Sequence, residues 1–569
     1  MFLLLAIAAA IAASPSDDFQ ERYRLALERV LHGGPPRYSV DFVTADAVPR
    51  HVRRFTEFSG DVSGRYLEAL AVSASERADL KPRVNAVAGE VIAHQQPDGH
   101  FGEPFADGPI TQKHMAILWG NGRLLVGLVE AHRLTGRADV LEAARRLGGF
   151  LLAVAPRLNT DNVRQEYSGT QVAVGYICWT QIIEGLVALH DTTRDARYLE
   201  LARQVAARTG RHPSQHSHGY LTSLRGILRL HEATGDASLL AQVEREWEEL
   251  VSSGNVFVHG AVPEAFKPMA KRDEGCSEAD WLRLNLALWR ATGKVRYLEN
   301  AELTLFNEFA FNQFSSGDFG HRVLTAEGVS AESARAWWCC TFHGLRAYPD
   351  LFRAAFRGGD DALHYDLPVS GEGRSGGLAM TATSSMGRSG RVTLRVRVAP
   401  GSPRRLSIRV PAWADSVGVD LNGRPIEGST GKGSWQASRV WRPGDVLTIR
   451  YALRTRAVAD PADGSRLAIF HGPWLLGIDA HDSPSFFDEP SEQNRIVLEK
   501  AGGAVRLKAA PASPPAGARG FMAPTAHFRV QFLPGGYAVQ PQFALLRPIA
   551  DQTGLPDATA WVFWFKASK

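Results

Sequence analysis

Residues 131–147 read AHRLTGRADVLEAARRL, and the same shape returns three times: LHDTTRDARYLELARQV at 189–205, LHEATGDASLLAQVERE at 230–246 and LWRATGKVRYLENAELT at 288–304. Each copy is an apolar-striped run, a short polar turn and a second apolar-striped run, the pattern of two amphipathic helices joined end to end. Gly136, Gly235 and Gly293 stand where the first helix should stop, because glycine tolerates the positive φ of a helix C-cap. In the second copy the turn falls around Thr193. Turn positions 136, 193, 235 and 293 lie 57, 42 and 58 residues apart, about one helical hairpin each. Residues 20–355, at roughly 50 per hairpin, therefore hold six or seven hairpins, which bury their apolar faces only by stacking into a superhelix or a closed ring. QQPDGHFGEP (Gln95 to Pro104) is a Gly/Pro turn with polar and aromatic side chains, suited to the mouth of a helical toroid. An (α/α)6 barrel is the expected fold of this half.

Beyond residue 360 the hydrophobic period changes to two. RVTLRVRV puts Val392, Leu394, Val396 and Val398 on one face, and RLSIRV does the same with Leu406, Ile408 and Val410. Asn422-Gly423, inside VGVDLNGRPI, marks a two-residue hairpin turn. DVLTIRY and SRLAIFHG continue the pattern, which predicts a β-sandwich over 360–480. Residues 481–569 contain AAPASPPAGARG, a connector, and short β-like runs such as FRVQFL and AWVFWF, so a smaller β-rich C-terminal region is expected. The expected class is thus a multidomain α + β protein, an (α/α)6 helical barrel followed by β-sandwich domains.

The 569 residues are 44% hydrophobic and 22% charged, an ordinary globular composition. Lys and Arg number 64 against 60 Asp and Glu, with no run of five like charges, which argues against nucleic acid as a partner. The apolar stretch Phe2–Ala13 is shorter than the roughly 20 residues a membrane span needs. It ends in small residues before a polar Ser-Pro-Ser-Asp-Asp, as in a signal peptide covering 1–13, so a secreted or periplasmic location is expected. The alternative is a buried N-terminal helix.

Only four cysteines occur: Cys178, Cys276, Cys339 and Cys340. Four in so long a chain do not make a disulfide scaffold, and the adjacent pair bridges itself only with strain. Three of them fall in two short segments, VPEAFKPMAKRDEGCSEADWLRLNLALW with Glu264, Glu274 and Cys276, and ARAWWCCTFHGLRAY with Cys339, Cys340 and His343. Three thiols and a carboxylate are enough donors for a four-coordinate zinc ion. On spacing alone, the plainer reading is that Cys339 and Cys340 pack as small core residues beside Trp337 and Trp338. Cys178, in the apolar GYICWTQIIEGL, reads as core.

These segments resemble glycoside hydrolase family 127, the β-L-arabinofuranosidases and their relatives. Pro263-Glu264-Ala265-Phe266, Glu274-Gly275-Cys276 and the Cys339-Cys340 pair followed by Arg346 are similar to the family's motifs. DALHYDLPVSG, RLSIRVPAWADSVGVDLNG, RVWRPGDVLTIRY and RLAIFHGPWLLG resemble its β-domain strings in order. The resemblance implies an (α/α)6 barrel with β-sandwich, zinc (Zn2+) held by Glu274, Cys276, Cys339 and Cys340, Cys339 as nucleophile and Glu264 as general acid/base. It implies a retaining hydrolase acting on an oligo- or polysaccharide that carries β-L-arabinofuranose or a related sugar. That chemistry needs a sulfur kept as thiolate, which metal coordination provides, and a carboxyl kept protonated. Partial burial among Phe257, Phe266 and Met269 is expected to raise the pKa of Glu264.

The departures lie in sugar recognition. The family's His-Leu-Ile-Glu-Ala and His-Pro-x-Ile-Glu motifs correspond to GNGRLLVGLVEAH and CWTQIIEGLVALH, which carry no histidine at those helix starts. His216 or His218, in the segment leading into SHGYLTSLRGIL, and His343 are the remaining candidates for touching substrate. Trp119, Trp179 and Trp338 are candidate sugar-stacking rings, Asp98 and His100 candidate mouth residues, and Arg346 either neutralises a nearby carboxylate or caps its helix. Two other readings stay open: a toroid polysaccharide lyase using Tyr220 beside His218, and a non-catalytic sugar-binding protein with a structural zinc site.

Overall fold

The computed structural model describes residues 18–49, 56–74, 77–169, 174–332, 334–359, 362–488, 490–501, 504–510, 526–535 and 540–568. The expected signal peptide and most of the Pro/Ala/Gly connector lie outside them. Twelve helices of nine residues or more occur among the described residues: α1 (Asp18–His32), α2 (Asp61–Ser73), α3 (Lys81–Ile92), α4 (Gln112–Thr135), α5 (Ala138–Leu158), α6 (Ile183–Thr193), α7 (Ala196–Ala206), α8 (Ser217–Thr234), α9 (Ala237–Ser252), α10 (Gly275–Thr292), α11 (Val295–Leu303) and α12 (Trp338–Arg353). Helices α2, α4, α6, α8, α10 and α12 each pack on the next, and α12 returns to α2. The other six pack outside them, α1 against α12 and each of the rest against its hairpin partner. This is the (α/α)6 barrel, closed rather than open.

The turn chemistry explains the hairpins. Gly136, Gly235 and Gly293 take φ of 72°, 71° and 65° as C-caps. In the second copy the left-handed residue is Arg194, at φ 62°, one position beyond Thr193. Helices α2 and α4 approach unusually closely, because a Cβ on Gly64 would lie 2.5 Å from the backbone of Arg123 and Leu124. That contact carries Asp61, Arg65 and Trp119 to a common point near the mouth.

The β half divides differently from the expected boundary at 480. A six-stranded sheet (strands within 371–453) and a five-stranded sheet (strands within 356–439) form the sandwich, which ends at Leu453. Asn422 and Gly423 both have positive φ, 51° and 80°, as a type I′ hairpin turn demands. Strands Arg466–His471 and Trp474–Asp479 belong instead with the C-terminal region. With 565–567, 495–497, 528–533 and 542–548 they close a six-membered circuit of hydrogen-bonded strands. Alternation alone does not say which sheet a strand joins, so the boundary was not readable from periodicity.

This last unit reaches back to the barrel. Strand Trp561–Val562 pairs with Gly328–Val329, and Arg322 Nη2 donates to Gln552 Oε1 at 2.9 Å. The C-terminal region thereby braces the segment 320–332, which contributes to the barrel mouth. Among the described residues, no helix is long and apolar enough to cross a membrane.

Candidate active site

The chemistry-bearing side chains gather where inner helices begin. Glu274 is the N-cap of α10 and Cys276 its second residue, while Cys339 and Cys340 are the second and third residues of α12. Helix N-termini favour negative charge, which suits thiolates and carboxylates. A ligand atom from each of Glu274, Cys276, Cys339 and Cys340 lies within 4.8 Å of the others, and all four residues are buried. Cys276 Sγ is 3.7 Å from Cys340 Sγ, and Cys339 Sγ is 3.9 Å from Cys340 Sγ. All four cysteines of the chain are free thiols, and Cys178 lies buried in the core.

The donor set fits zinc. Two sulfurs on one tetrahedral zinc, each at about 2.3 Å, are about 3.8 Å apart, which is the separation found here. Without a cation the cluster conflicts with itself. Burial and the neighbouring Glu264 and Cys339 charges push the Glu274 carboxyl well above its usual range. Burial raises the Cys276 and Cys340 thiols in the same way. For Cys339 burial acts upward too, but hydrogen bonds from Cys276 and Cys340 and the charges of Arg65 and His321 win, holding it well below an ordinary thiol. A divalent ion resolves the repulsion among all four. Ser277 Oγ donates to Glu274 Oε2 at 2.8 Å and fixes that carboxylate's angle.

Of the three clustered sulfurs, Cys339 is the one that opens onto a pocket of about 470 Å3, where it meets Glu264, Glu274, His216 and His321. Cys276 and Cys340 sit behind it. Glu264 stands at the pocket's edge with Arg272, whose Nη2 donates to Oε1 at 2.6 Å and whose Nε donates to Oε2. This overturns the expectation of a raised pKa. Burial pushes the Glu264 carboxyl up, but the Arg272 bonds and the nearby His216 and His321 outweigh it, and the net direction is down. Met269 is exposed, and Phe266 packs on Tyr220 and Arg211.

Of the three histidines singled out, only His216 lines the pocket, with Nε2 3.3 Å from Glu274 Oε1 and its ring beside Trp119. His218 and His343 lie beneath it, buried, and do not contact the space a sugar would occupy. His218 Nδ1 donates to Asp280 Oδ2 at 2.5 Å. Arg65 Nη1 lies 3.0 Å from His218 Nε2, 3.1 Å from His343 Nδ1 and 3.5 Å from Cys276 Sγ. Burial and the neighbouring arginines keep both rings neutral, so each presents a lone pair to the guanidinium. Their role is to hold Arg65 against the sulfur cluster.

Trp119 and Trp338 line the pocket, whereas Trp179 is fully buried with its indole N–H on Asn159. Tyr220 is also fully buried and donates to Glu246, so the Tyr220–His218 pair does not exist as a catalytic unit. His100 is a core residue held by Asp98 and Glu103, not a mouth residue. Arg346 does neutralise nearby carboxylates, with Nε 2.9 Å from the buried Glu68 and Nη1 2.9 Å from the partly exposed Asp350.

Sequence reasoning missed Asp61, Arg65, His321, Arg335 and Trp337, which also line the pocket. Asp61 Oδ1 accepts from Arg65 Nε at 2.5 Å, giving an acceptor and a donor side by side in the pocket. His321 donates from Nδ1 to the Asp273 carbonyl at 2.9 Å, leaving Nε2 toward Cys340. DFGHRVL contains His321, but no local pattern distinguishes that histidine from a turn residue.

Residues 24–352 match the sequence model of the β-L-arabinofuranosidase GH127 catalytic domain, and residues 367–453 that of the GH127 middle domain. The second span ends where the sandwich ends. The structure is similar to that of a GH127 β-L-arabinofuranosidase from Geobacillus stearothermophilus T6, with TM-score 0.72 and 16% identity over 98% of this chain and 100% of that one. It is also similar to the GH127 β-arabinofuranosidase BT3674, with TM-score 0.74 and 17% identity over 98% of this chain and 96% of that one. At these identities the likeness carries the fold. No curated protein matches the chain.

Proposed function

Because this chain belongs to the GH127 β-L-arabinofuranosidase family and is a glycoside hydrolase, we propose that it is an exported, zinc-dependent, retaining enzyme that releases β-L-arabinofuranose or a related sugar from a glycan. The observation that carries this reading is the placement of Cys339, whose sulfur opens onto the pocket that Glu264 borders while the sulfurs of Cys276 and Cys340 stay behind. Glu274, Cys276, Cys339 and Cys340 would hold the zinc, which when bound keeps the sulfurs deprotonated and fixed in direction.

Cys339 Sγ attacks the anomeric carbon, and the glycosidic C–O bond breaks as Glu264 gives its proton to the leaving oxygen. The sugar is then held on sulfur as a thioglycoside. Glu264, now ionised, takes a proton from water, whose oxygen displaces Cys339 as thiolate and restores the original anomeric configuration. Arg272 opposes the first step while it grips Glu264. The step therefore requires substrate to displace the half-exposed Arg272 side chain from Glu264, after which burial favours the protonated carboxyl that an acid requires. Asp61 and Arg65 accept from and donate to the sugar's hydroxyl groups, and Trp119 offers a face for its apolar side. The apolar run Phe2–Ala13, ending in small residues before Ser14, supports delivery to the periplasm or the exterior.

The test is metal analysis of purified protein together with hydrolysis of an aryl β-L-arabinofuranoside, the first-formed sugar being read by NMR. One zinc per chain, turnover and a product of retained configuration are expected. Metal-free protein with full turnover, or an inverted product, would falsify the mechanism. Cys339→Ser separates catalysis from a purely structural zinc site, since only a nucleophile's loss abolishes turnover in a folded protein.

A further inference from the structure

Glu264 and Arg272 stand between two spaces. On one side is the pocket of Cys339. On the other is a second pocket of about 490 Å3, lined by Ser214, Gln215, Met269 and Lys271 and sharing His216, Glu264 and Arg272 with the first. A carboxyl that protonates a glycosidic oxygen sits at the junction between the sugar and its leaving portion. On the reading above, the second space receives the leaving portion of the substrate.

The charge in that space is one-sided. Its only carboxylate among the described residues is Glu264, already engaged by Arg272. Lys271 is exposed and has no acid partner among the described residues. Gln215, 5% exposed, accepts the His212 N–H on Oε1 at 3.0 Å, and its Nε2 donor meets no acceptor among the described residues. Gln215 also lines a small third cavity of about 80 Å3, which contains Arg164, Arg208, Arg211 and His212 and no carboxylate among its described lining residues. Arg211 pairs with Glu249, and Arg208 donates to the main-chain carbonyls of Gln204 and Asn159, while Arg164 has no acid partner among the described residues. The chain as a whole has 64 basic and 60 acidic residues, so this run of cations is a local feature.

We propose that the leaving portion of the substrate is an acidic glycan, whose carboxylate groups lie along Lys271 and Gln215 toward the arginines of the small cavity. A neutral oligosaccharide offers Lys271 and Arg164 hydroxyl oxygens but no counter-charge, whereas a uronate supplies carboxylate oxygens to both and an acceptor for the buried Gln215 amide. Arginine's planar fork matches a carboxylate in particular.

The test compares trigalacturonate with galactotriose, a neutral chain of the same length, as inhibitors of aryl β-L-arabinofuranoside hydrolysis and as ligands in calorimetry. The acidic chain is expected to bind at least ~10-fold more tightly at low ionic strength, with the advantage shrinking as salt is added. Lys271→Ala and Arg164→Ala should each lower the ratio of the two affinities, a readout that general damage to the enzyme does not move. Equal binding of the two trimers, or no binding of either, overturns the proposal. So does a preference for a sulfated galactotriose over trigalacturonate, which would assign the cations to sulfate esters. If the aryl furanoside is not hydrolysed at all, the hydrolase reading fails, and calorimetry still decides this one.

Discussion

Cys276 Sγ and Cys340 Sγ lie 3.7 Å apart although 64 residues separate them in the chain, one on the first turn of α10 and the other on the first turn of α12. Thiols with no shared ion gain little from so close an approach, and here burial leaves both well above the ordinary thiol pKa. A shared cation removes that cost. Cys276→Ser should therefore retain less than roughly a tenth of the zinc bound by the unaltered protein, because a hard hydroxyl replaces a soft ligand. Metal analysis after gel filtration checks this. A variant that keeps full zinc would show that Cys276 is not a ligand.

Removal of zinc by a chelator should lower the thermal midpoint as well as activity, since the four donors tie the starts of two inner helices together. Re-addition of zinc should restore both. Activity that returns with magnesium but not zinc would contradict the sulfur-rich donor set.

Glu264→Gln should reduce turnover by about 10²–10⁴-fold, the usual worth of general acid–base catalysis. The loss should be smaller for aryl leaving groups of low pKa, which depart without a proton. Arg272→Ala acts on the same carboxyl from the other side. Arg272 holds Glu264 down in the free enzyme, so its removal raises that pKa and keeps the acid form to higher pH. The alkaline limb of kcat/KM against pH should move upward in the variant, and an unmoved limb would show that Arg272 does not govern the proton donor.

What sequence conveyed and what it did not follow from the range over which each feature is determined. Gly136, Gly235 and Gly293 announce their turns because left-handed φ is a one-residue property. Cys276, Cys339 and Cys340 stand out because the chain spends so few cysteines. Asp61 and Arg65, by contrast, reach the pocket only because α2 closes the ring against α12 and lies against α4 at Gly64. No pattern local to α2 records that. Glu264 was misjudged for a similar reason, since the Glu264 N–H bonds the Arg272 carbonyl at 3.1 Å and folds the guanidinium onto the carboxylate. His218 and His343 were expected to touch substrate, but both lie buried beneath the pocket against Arg65, a position that no local pattern records.

Beneath the pocket, Asp280 accepts from His218 and Arg225 and lies 3.6 Å from Arg283, all within the inner ring. Burial pushes its carboxyl up, but the charges of Arg225, Arg283 and Arg123 pull it down to about 2. A carboxyl depressed in the folded state contributes stability above its unfolded pKa of about 4, and loses it as pH falls through about 2. Asp280→Asn should cost about 3 kcal/mol at neutral pH by leaving buried arginines short of a partner, a drop of a few degrees in midpoint for a chain of this size. The gap between variant and unaltered protein should narrow between pH 4 and pH 2. A gap that does not change with pH would mean that the carboxylate's charge contributes nothing to the fold.

The second hairpin offers a substitution that should stabilise. Arg194 ends α6 at φ 62°, donating its N–H to the His190 carbonyl, in the position that glycine holds after α4, α8 and α10. A side chain in the left-handed region costs about 1 kcal/mol that glycine does not incur. Glycine's larger unfolded-state entropy offsets part of this, so Arg194→Gly should gain about 0.5–1 kcal/mol. The reciprocal change, Gly235→Ala, should lose about 1 kcal/mol in the same way. Amide exchange in the last turn of α6 is the sensitive measure, because the effect is local while the melting midpoint averages over the barrel. Faster exchange there in Arg194→Gly would show that Arg194 supplies a contact worth more than its backbone strain.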